Sequence, residues 1–191
     1  MIHQIKSICV FCGSSPGSEA DFVELAKKTG EVIAKANLKL VYGGAKVGCM
    51  GAVADGALSQ SGEVLGILPR VLKEKELAHE GITDLRIIDT LMERKVMMIN
   101  HSDAFIALPG GFGTLDEFFE VLTWNQLNLI QKPIALLNHN GFFNGVIDFM
   151  KHAQSKAFVK SGNQDLYSAH STLDSLFKAW RIEMPINRKK K

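Results

Sequence analysis

Residues 104–120 read AFIALPGGFGTLDEFFE, an apolar run that passes through a glycine-rich turn into a segment with acids and a phenylalanine pair. The run before the glycines is typical of a strand buried on both faces, and the spacing of apolar residues after Thr114 is typical of a helix. A strand followed closely by a helix is the repeating unit of parallel sheets. This stretch therefore predicts an α/β fold, and its glycines and carboxylates need a separate explanation.

The same alternation of strands and helices runs along the whole chain. Six strands are predicted, and they are IKSICVFCG (5–13), LKLVYGG (38–44), EVLGILP (63–69), DLRIIDT (84–90), AFIALPGG (104–111) and PIALLN (133–138). Helices are predicted near residues 18–36, 48–61, 91–102, 114–128, 142–158 and 172–183. This order predicts a single-domain, doubly wound parallel sheet that is flanked by helices on both faces.

Composition sets limits on the kind of partner. A length of 191 residues suits one domain, which we place at residues 1–185, with a basic tail at 186–191. The net charge of +2 does not require a nucleic acid or an anionic membrane. The sequence has no signal-peptide pattern and no 18-residue apolar run, and its three cysteines fit a reducing compartment. We therefore expect a cytoplasmic protein with a small-molecule ligand.

Three glycine-bearing loops follow predicted strands. They are CGSSPGS (12–18), YGGAKVGCMG (42–51) and PGGFGT (109–114). Because the carboxyl ends of parallel strands meet at one edge of the sheet, where ligands bind, these loops are expected to lie together. The dinucleotide fingerprint G-x-G-x-x-G is missing after the first strand, and the nucleoside-triphosphate loop G-x-x-x-x-G-K-[ST] is missing altogether. These absences disfavour NAD binding and ATP hydrolysis.

Two interpretations compete for the PGGFGT loop. Free backbone N–H groups at a helix start hold a phosphate well, and glycine allows the phosphate to come close. Alternatively, Thr114 and Glu117 have the spacing of a capping box, which would use the same N–H groups for capping. Arg94 and Lys95 favour the first interpretation, because cations in the first turn of a helix oppose its dipole unless an anionic ligand is present. Arg94 is suited to gripping a phosphate bidentately.

At these residues the chain resembles the LOG family of cytokinin riboside 5'-monophosphate phosphoribohydrolases. The likeness is carried by PGGFGTLDE (109–117), Arg94 with Lys95, YGGAKVGCMG (42–51) and CGSS (12–15). It implies a Rossmann-like fold, a homodimer, and cleavage of the N-glycosidic bond of adenosine-type 5'-monophosphates to free base and ribose 5-phosphate. It implies no metal and no organic cofactor. Members were often labelled lysine decarboxylases, a name that the resemblance does not support.

The resemblance also implies roles for individual residues. Arg94 and Glu117 correspond to the catalytic pair of the family. The implied substrate-binding residues are Glu76, Lys95, Gly110, Gly111, Phe112, Gly113, Thr114, Thr123, Ser14, Gly43, Gly44 and Met50. A carboxylate at Glu117 would stabilise the positive charge that develops on the ribose as the bond to the base breaks. Ala45 and Cys49 depart from the common family pattern and leave the choice between AMP and N6-prenylated AMP open.

Two other functions stay open at this point. One is a binding protein that holds a nucleotide or a phosphorylated cofactor without turnover, although a carboxylate beside a phosphate disfavours it. The other is a pyridoxal-phosphate decarboxylase with Lys95 as the Schiff-base lysine, for which no partner of the pyridine nitrogen is evident. Cys9 and Cys12 form a C-x-x-C, but positions i and i+3 of a strand face opposite sides, so core packing is expected.

Overall fold

A seven-stranded parallel sheet organises the part of the chain that the computed structural model describes, which is residues 4–72, 77–160 and 162–183. The strands are β1 (Ser7–Phe11), β2 (Lys39–Tyr42), β3 (Val64–Pro69), β4 (Asp84–Ile88), β5 (Ala104–Ala107), β6 (Ile134–Leu137) and β7 (Ser168–His170). Their order across the sheet is β4-β3-β2-β1-β5-β6-β7, and every pairing is parallel. The predicted tail at 186–191 and the predicted substrate contact Glu76 lie outside the described residues.

Six α-helices cover the two faces of the sheet in the described ranges. They are α1 (Ala20–Lys35), α2 (Gly48–Ser59), α3 (Leu91–Asn100), α4 (Phe112–Gln126), α5 (Asn144–Ser155) and α6 (Leu173–Ala179). One apolar cluster joins the sheet to α1, α2 and α6, and a second joins it to α3, α4 and α5. The predicted doubly wound, Rossmann-like fold is therefore confirmed. No helix in the described ranges is long and apolar enough to cross a membrane.

The burial of the central strands explains why apolar and polar residues do not alternate along them. All residues of β1, β5 and β6 are buried, since helices pack on both faces of these strands. Cys9 belongs to one apolar cluster and Cys12 to the other, which confirms that the two thiols face opposite sides of the sheet. Burial raises the pKa of both thiols, and the negative charge of Glu117 raises it further.

The six predicted strands are all present, and β7 is an addition. Its three residues, SAH, are too short and too polar to give a strand signal in the sequence. Pairing with β6 stabilises this short segment at the edge of the sheet. The helix α4 also begins at Phe112, earlier than the predicted start near residue 114. That difference changes the roles of the residues at its start.

The neighbours of β1 locate the expected binding edge. The chain runs outward from β1 through β2, β3 and β4, and then returns to place β5 on the other side of β1. The loops that leave β1 and β5 therefore diverge from a common point, which is the topological switch point of the sheet. Ligands bind in the crevice at such points.

Candidate functional site

The three glycine-bearing loops meet at the switch point, as expected from the strand order. The Gly13 N–H donates to the Pro109 carbonyl at 3.3 Å, and the Met50 N–H donates to the Gly13 carbonyl at 3.2 Å. A Cβ atom added at Gly110 would lie 2.8 Å from the Gly13 nitrogen and 2.1 Å from Thr114 Oγ1. Gly110 is therefore needed for the close approach of the loops themselves.

Gly111 and Gly113 differ from Gly110, because a Cβ added at either would have no neighbouring atom within 4 Å. Packing within the chain therefore does not explain why these two residues are glycines. Both lie at the start of α4, where Gly111 is the N-cap and therefore provides no capping side chain. The N–H groups of the first turn, together with the positive end of the helix dipole, are suited to an anion.

The capping-box interpretation of Thr114 and Glu117 is wrong. Because α4 begins at Phe112, Thr114 is already the third residue of the helix and cannot serve as its N-cap. A capping box is present instead at α3, where the Glu93 N–H donates to Thr90 Oγ1 at 3.1 Å and the Thr90 N–H donates to Glu93 Oε2 at 3.0 Å.

The position of the two cations of α3 also needs correction. They were expected in the first turn of the helix, where they would oppose its dipole. Glu93 caps that turn and complements the dipole, whereas Arg94 and Lys95 are the fourth and fifth residues of a helix that begins at Leu91. Their explanation therefore lies in what they contact, not in the dipole.

Arg94 and Glu117 form a nearly buried ion pair. Arg94 Nη2 lies 3.3 Å from Glu117 Oε1, and the side chains are 9% and 12% exposed. Arg94 Nε is buried and makes no hydrogen bond within the described residues. A Cβ at Gly43 would lie 2.1 Å from Arg94 Nη2, so the guanidinium lies directly against the backbone after β2. The structure thus brings Gly43 and the two predicted catalytic residues together.

Lys95 contacts two further acids on α4. Its Nζ lies 3.1 Å from Glu120 Oε2 and 3.3 Å from Asp116 Oδ2. Burial disfavours the ammonium, but the hydrogen bonds that Lys95 donates to Glu120 and Asp116, with the negative charges of these acids, outweigh it and raise the pKa of Lys95. Glu120 is not among the residues predicted from the sequence, although its position one helical turn after Glu117 places both carboxylates on one face of α4.

The remaining predicted contacts are distributed around this centre. Ser14 is exposed on the β1 loop, Met50 is buried at the start of α2, and Gly44 has a φ of +81° that favours glycine. Phe112 is 95% exposed at the start of α4. Thr123 is also exposed, about 9 Å further along the helix axis than Glu117. Thr123 is thus a predicted substrate contact that lies away from the start of α4.

Other features of the described residues do not form a competing site near these loops. No group of three or more His, Cys, Asp or Glu side chains has a metal-binding arrangement in the described ranges. A concave region at the opposite edge of the sheet, near Asp103, Lys132 and Trp180, contains none of the predicted site residues. Glu117, Glu120 and Lys95 line a small crevice together with Phe11, Met98 and Ile99.

The site can be compared with known proteins by sequence. A family model described as "Possible lysine decarboxylase" matches residues 50–180. A cytokinin riboside 5'-monophosphate phosphoribohydrolase of Rhodococcoides fascians is 45% identical over 155 residues, which are 81% of this chain and 78% of that protein. One from Arabidopsis thaliana is 38% identical over 175 residues, covering 92% and 81% of the two chains.

Solved structures agree on the fold. The molybdenum cofactor binding protein of Rippkaea orientalis has a TM-score of 0.70 at 22% identity, covering 94% of this chain and 97% of that chain. The Moco carrier protein of Chlamydomonas reinhardtii has a TM-score of 0.69 at 18% identity, covering 93% and 96%. At such identities the likeness is one of fold alone.

The fold and the site define a doubly wound α/β protein with a buried Arg–Glu pair beside a glycine-rich helix start. The sequence relatives specify the family within that class. This chain belongs to the family of cytokinin riboside 5'-monophosphate phosphoribohydrolases, which confirms the resemblance noted in its sequence.

Proposed function

We propose that this protein is a hydrolase that cleaves the N-glycosidic bond of adenosine-type 5'-monophosphates, including cytokinin nucleotides, to free base and ribose 5-phosphate. The observation that carries the proposal is the buried Arg94–Glu117 pair, 3.3 Å apart, beside a helix start whose N-cap is a glycine without a capping side chain. The curated relatives that bear the name of this activity, at 45% and 38% identity, support it.

In this proposal the phosphate binds at residues 110–114, at the start of α4. The N–H groups of the first turn and the helix dipole attract the anion, and the open space at Gly111 and Gly113 lets it approach the backbone. Binding energy from the phosphate then holds the ribose in place for reaction at a bond some distance away. Nucleosides without the phosphate are therefore poor substrates.

Glu117 and Arg94 act on the sugar end. As the bond from C1' to the base nitrogen breaks, its electron pair leaves with the base and positive charge develops on the ribose, where the Glu117 carboxylate stabilises it. Water adds to C1' and its released proton balances the charge on the departing base, with Glu117 as the group placed to accept that proton first. Arg94 holds the carboxylate in position through the contact between Nη2 and Oε1.

A non-catalytic carrier is the second candidate, because a cofactor binding protein and a cofactor carrier protein share this fold at TM-scores of 0.70 and 0.69. The Glu117 carboxylate disfavours it, since a protein that only binds a phosphorylated ligand gains little from an acid at that place. A decarboxylase that uses Lys95 as a Schiff-base lysine is disfavoured more strongly. Asp116 and Glu120 raise the pKa of Lys95 and keep it charged, whereas a Schiff base needs the neutral amine.

Product analysis tests the proposed function. Purified protein is incubated separately with AMP, isopentenyl-AMP, CMP and adenosine, and the free base and ribose 5-phosphate are separated by chromatography. We expect base release from the first two and little from CMP or adenosine. Binding of AMP without any release of base would favour the carrier, and equal release from AMP and adenosine would remove the role of the phosphate.

We also propose that the protein is a cytoplasmic homodimer whose nucleotide-binding domain spans residues 1–185. Exposed apolar side chains on α3, at the start of α4 and just after its end support a subunit contact, and they are Leu91, Met92, Phe112, Leu127 and Leu129. Burying such a surface against a second copy would remove it from water. Sedimentation analysis at several concentrations tests the dimer, and a single species at 21.0 kDa would contradict it.

A further inference from the structure

His79 and Asp55 lie outside the proposed catalytic pair, yet they are connected to it through the backbone. We infer that His79, held by Asp55, is a positioning residue that keeps the glycine loop at residues 43–46 against Arg94. The effect on catalysis rests on the proposed function, whereas the effect on the loop itself does not. The connection is made by residues 77–79, here called the strap, which cross the glycine loop.

Backbone hydrogen bonds join the strap to the loop. The Lys46 N–H donates to the Leu77 carbonyl at 2.8 Å, and the His79 N–H donates to the Gly44 carbonyl at 3.0 Å. Ala45 and Ala78 form an isolated antiparallel bridge between these two bonds. The loop is therefore paired on one side with a segment that belongs to no helix or strand of the sheet. The position of the loop depends on what holds the strap.

The His79 side chain supplies an anchor for the strap. Its Nε2 lies 3.0 Å from Asp55 Oδ1 on α2, and the side chain is 6% exposed. The carboxylate accepts, so Nε2 carries the hydrogen. The other ring nitrogen, Nδ1, is buried without a hydrogen-bond partner among the described residues. An apolar side chain would fill this space without leaving a buried nitrogen unsatisfied, so the bond to Asp55 is the feature that favours histidine.

The loop in turn determines where the Arg94 guanidinium lies. A Cβ atom added at Gly43 would be 2.1 Å from Arg94 Nη2 and 2.8 Å from Met50 Sδ, so these groups are in direct contact with the loop backbone. The same Nη2 atom is the one that lies 3.3 Å from Glu117 Oε1. Movement of Gly43 by a fraction of an ångström therefore changes the contact between Arg94 and Glu117.

Asp55 can be substituted to test the connection between His79 and the glycine loop. Its side chain is 63% exposed, so its removal leaves the packed core intact. Asp55→Ala removes the acceptor for His79, whereas His79→Gln retains a side-chain N–H group that reaches toward Asp55. His139→Ala is the matched control, because His139 Nε2 lies 2.8 Å from Asp21 Oδ2 in a similar pair that contacts neither the strap nor the glycine loop.

The first experiment measures kcat and KM for AMP in each variant and in the wild-type protein in parallel. We expect kcat to fall about 10- to 100-fold in Asp55→Ala and His79→Ala, since small misplacements of a reacting group have effects of that size. His79→Gln should recover to within about threefold of wild type if the hydrogen bond is what matters. His139→Ala should keep its kcat. Loss of thermal stability in Asp55→Ala with unchanged kcat and KM would overturn the inference.

The second experiment does not depend on catalysis, so its outcome distinguishes this inference from the proposed function. Hydrogen exchange of the Lys46 amide is followed in the protein without nucleotide, because this amide donates to the Leu77 carbonyl of the strap. We expect exchange at least about fivefold faster in Asp55→Ala, from easier local opening, and no change in His139→Ala. Unchanged exchange at Lys46 would overturn the positioning role even in a fully active enzyme. Faster exchange in Asp55→Ala, together with a wild-type protein that releases no base, would support the anchor and reject the hydrolase.

Discussion

Arg94 Nη2 lies 3.3 Å from Glu117 Oε1, so an ion pair that is about nine-tenths buried joins α3 to α4 at the edge where β1 and β5 diverge. Removing one partner of such a pair leaves an uncompensated charge in a dry environment, at a typical cost of about 3–5 kcal/mol. Truncation to alanine would therefore confuse stability with catalysis. Substitutions that keep the shape of the side chain are more informative.

Glu117→Gln is the first such substitution. It keeps the size and one acceptor oxygen but removes the negative charge that stabilises the developing cation. We expect kcat for AMP to fall about 10²- to 10³-fold, as when other electrostatic groups are removed from active sites, while AMP still binds. Base release and calorimetric binding are measured together, with the exposed Glu24→Gln on α1 as control. Unchanged hydrolysis in Glu117→Gln would leave this carboxylate with a structural role only.

Gly113→Ala separates stability from ligand binding. The new Cβ meets no atom within 4 Å, and alanine is a better helix residue, so the free energy of unfolding should rise by about 0.5 kcal/mol. KM for AMP should nevertheless rise by roughly tenfold, since the methyl group blocks the approach of a phosphate to the backbone.

Gly145→Ala is the matched control for Gly113→Ala. Gly145 is the second residue of α5 as Gly113 is of α4, and it also has open space at the Cβ position. It should stabilise without changing KM. A phosphate that binds elsewhere would be indicated by unchanged KM in both variants.

Gly43→Ala tests whether the Arg94 guanidinium needs the bare backbone after β2. The added Cβ would lie 2.1 Å from Nη2, so the guanidinium must move away from its place beside Glu117. We expect kcat/KM for AMP to fall about 100-fold, as expected for a displacement near 1 Å. The far-ultraviolet circular dichroism should stay that of the wild type. Full activity would show that Arg94 tolerates another position.

Lys95 should stabilise the fold in a pH-dependent way. Its pKa in the folded protein is raised above the ordinary 10.5, so the stabilisation is complete below that value and is lost as the pH rises through the folded-state pKa. Lys95→Met should lower the free energy of unfolding by about 1 kcal/mol at pH 8, with a smaller difference near pH 11. Urea unfolding measures both.

Lys151→Met is the control for Lys95→Met. Lys151 lies 3.8 Å from Asp148, but both side chains are largely exposed, so this pair contributes little. Its removal should change the stability by less than about 0.5 kcal/mol at either pH. A difference for Lys95→Met that stays constant between the two pH values would show that packing of the side chain, not its charge, provides the stabilisation.

Most of the strands could be predicted from the sequence because their signal comes from residues that are close together in the chain. The buried runs of β1, β5 and β6 have a local apolar signal, and the glycine loops follow them directly in the sequence. The placement of Cys9 and Cys12 on opposite faces follows from the two-residue period of a strand. The three residues of β7 carried no such signal, because their extended form comes from pairing with β6.

The sequence by itself determined the parallel α/β order and the presence of glycine loops at one edge, since strand and helix periods arise within a few residues. Which groups meet at that edge was decided only by tertiary packing. Thr114 and Glu117 have the spacing of a cap, yet the helix starts at Phe112 and Glu117 contacts Arg94. The physical reason is that an ion pair between two helices, or a histidine outside any helix bonded to an acid on a helix, depends on how the crossovers pack, and no local period encodes that.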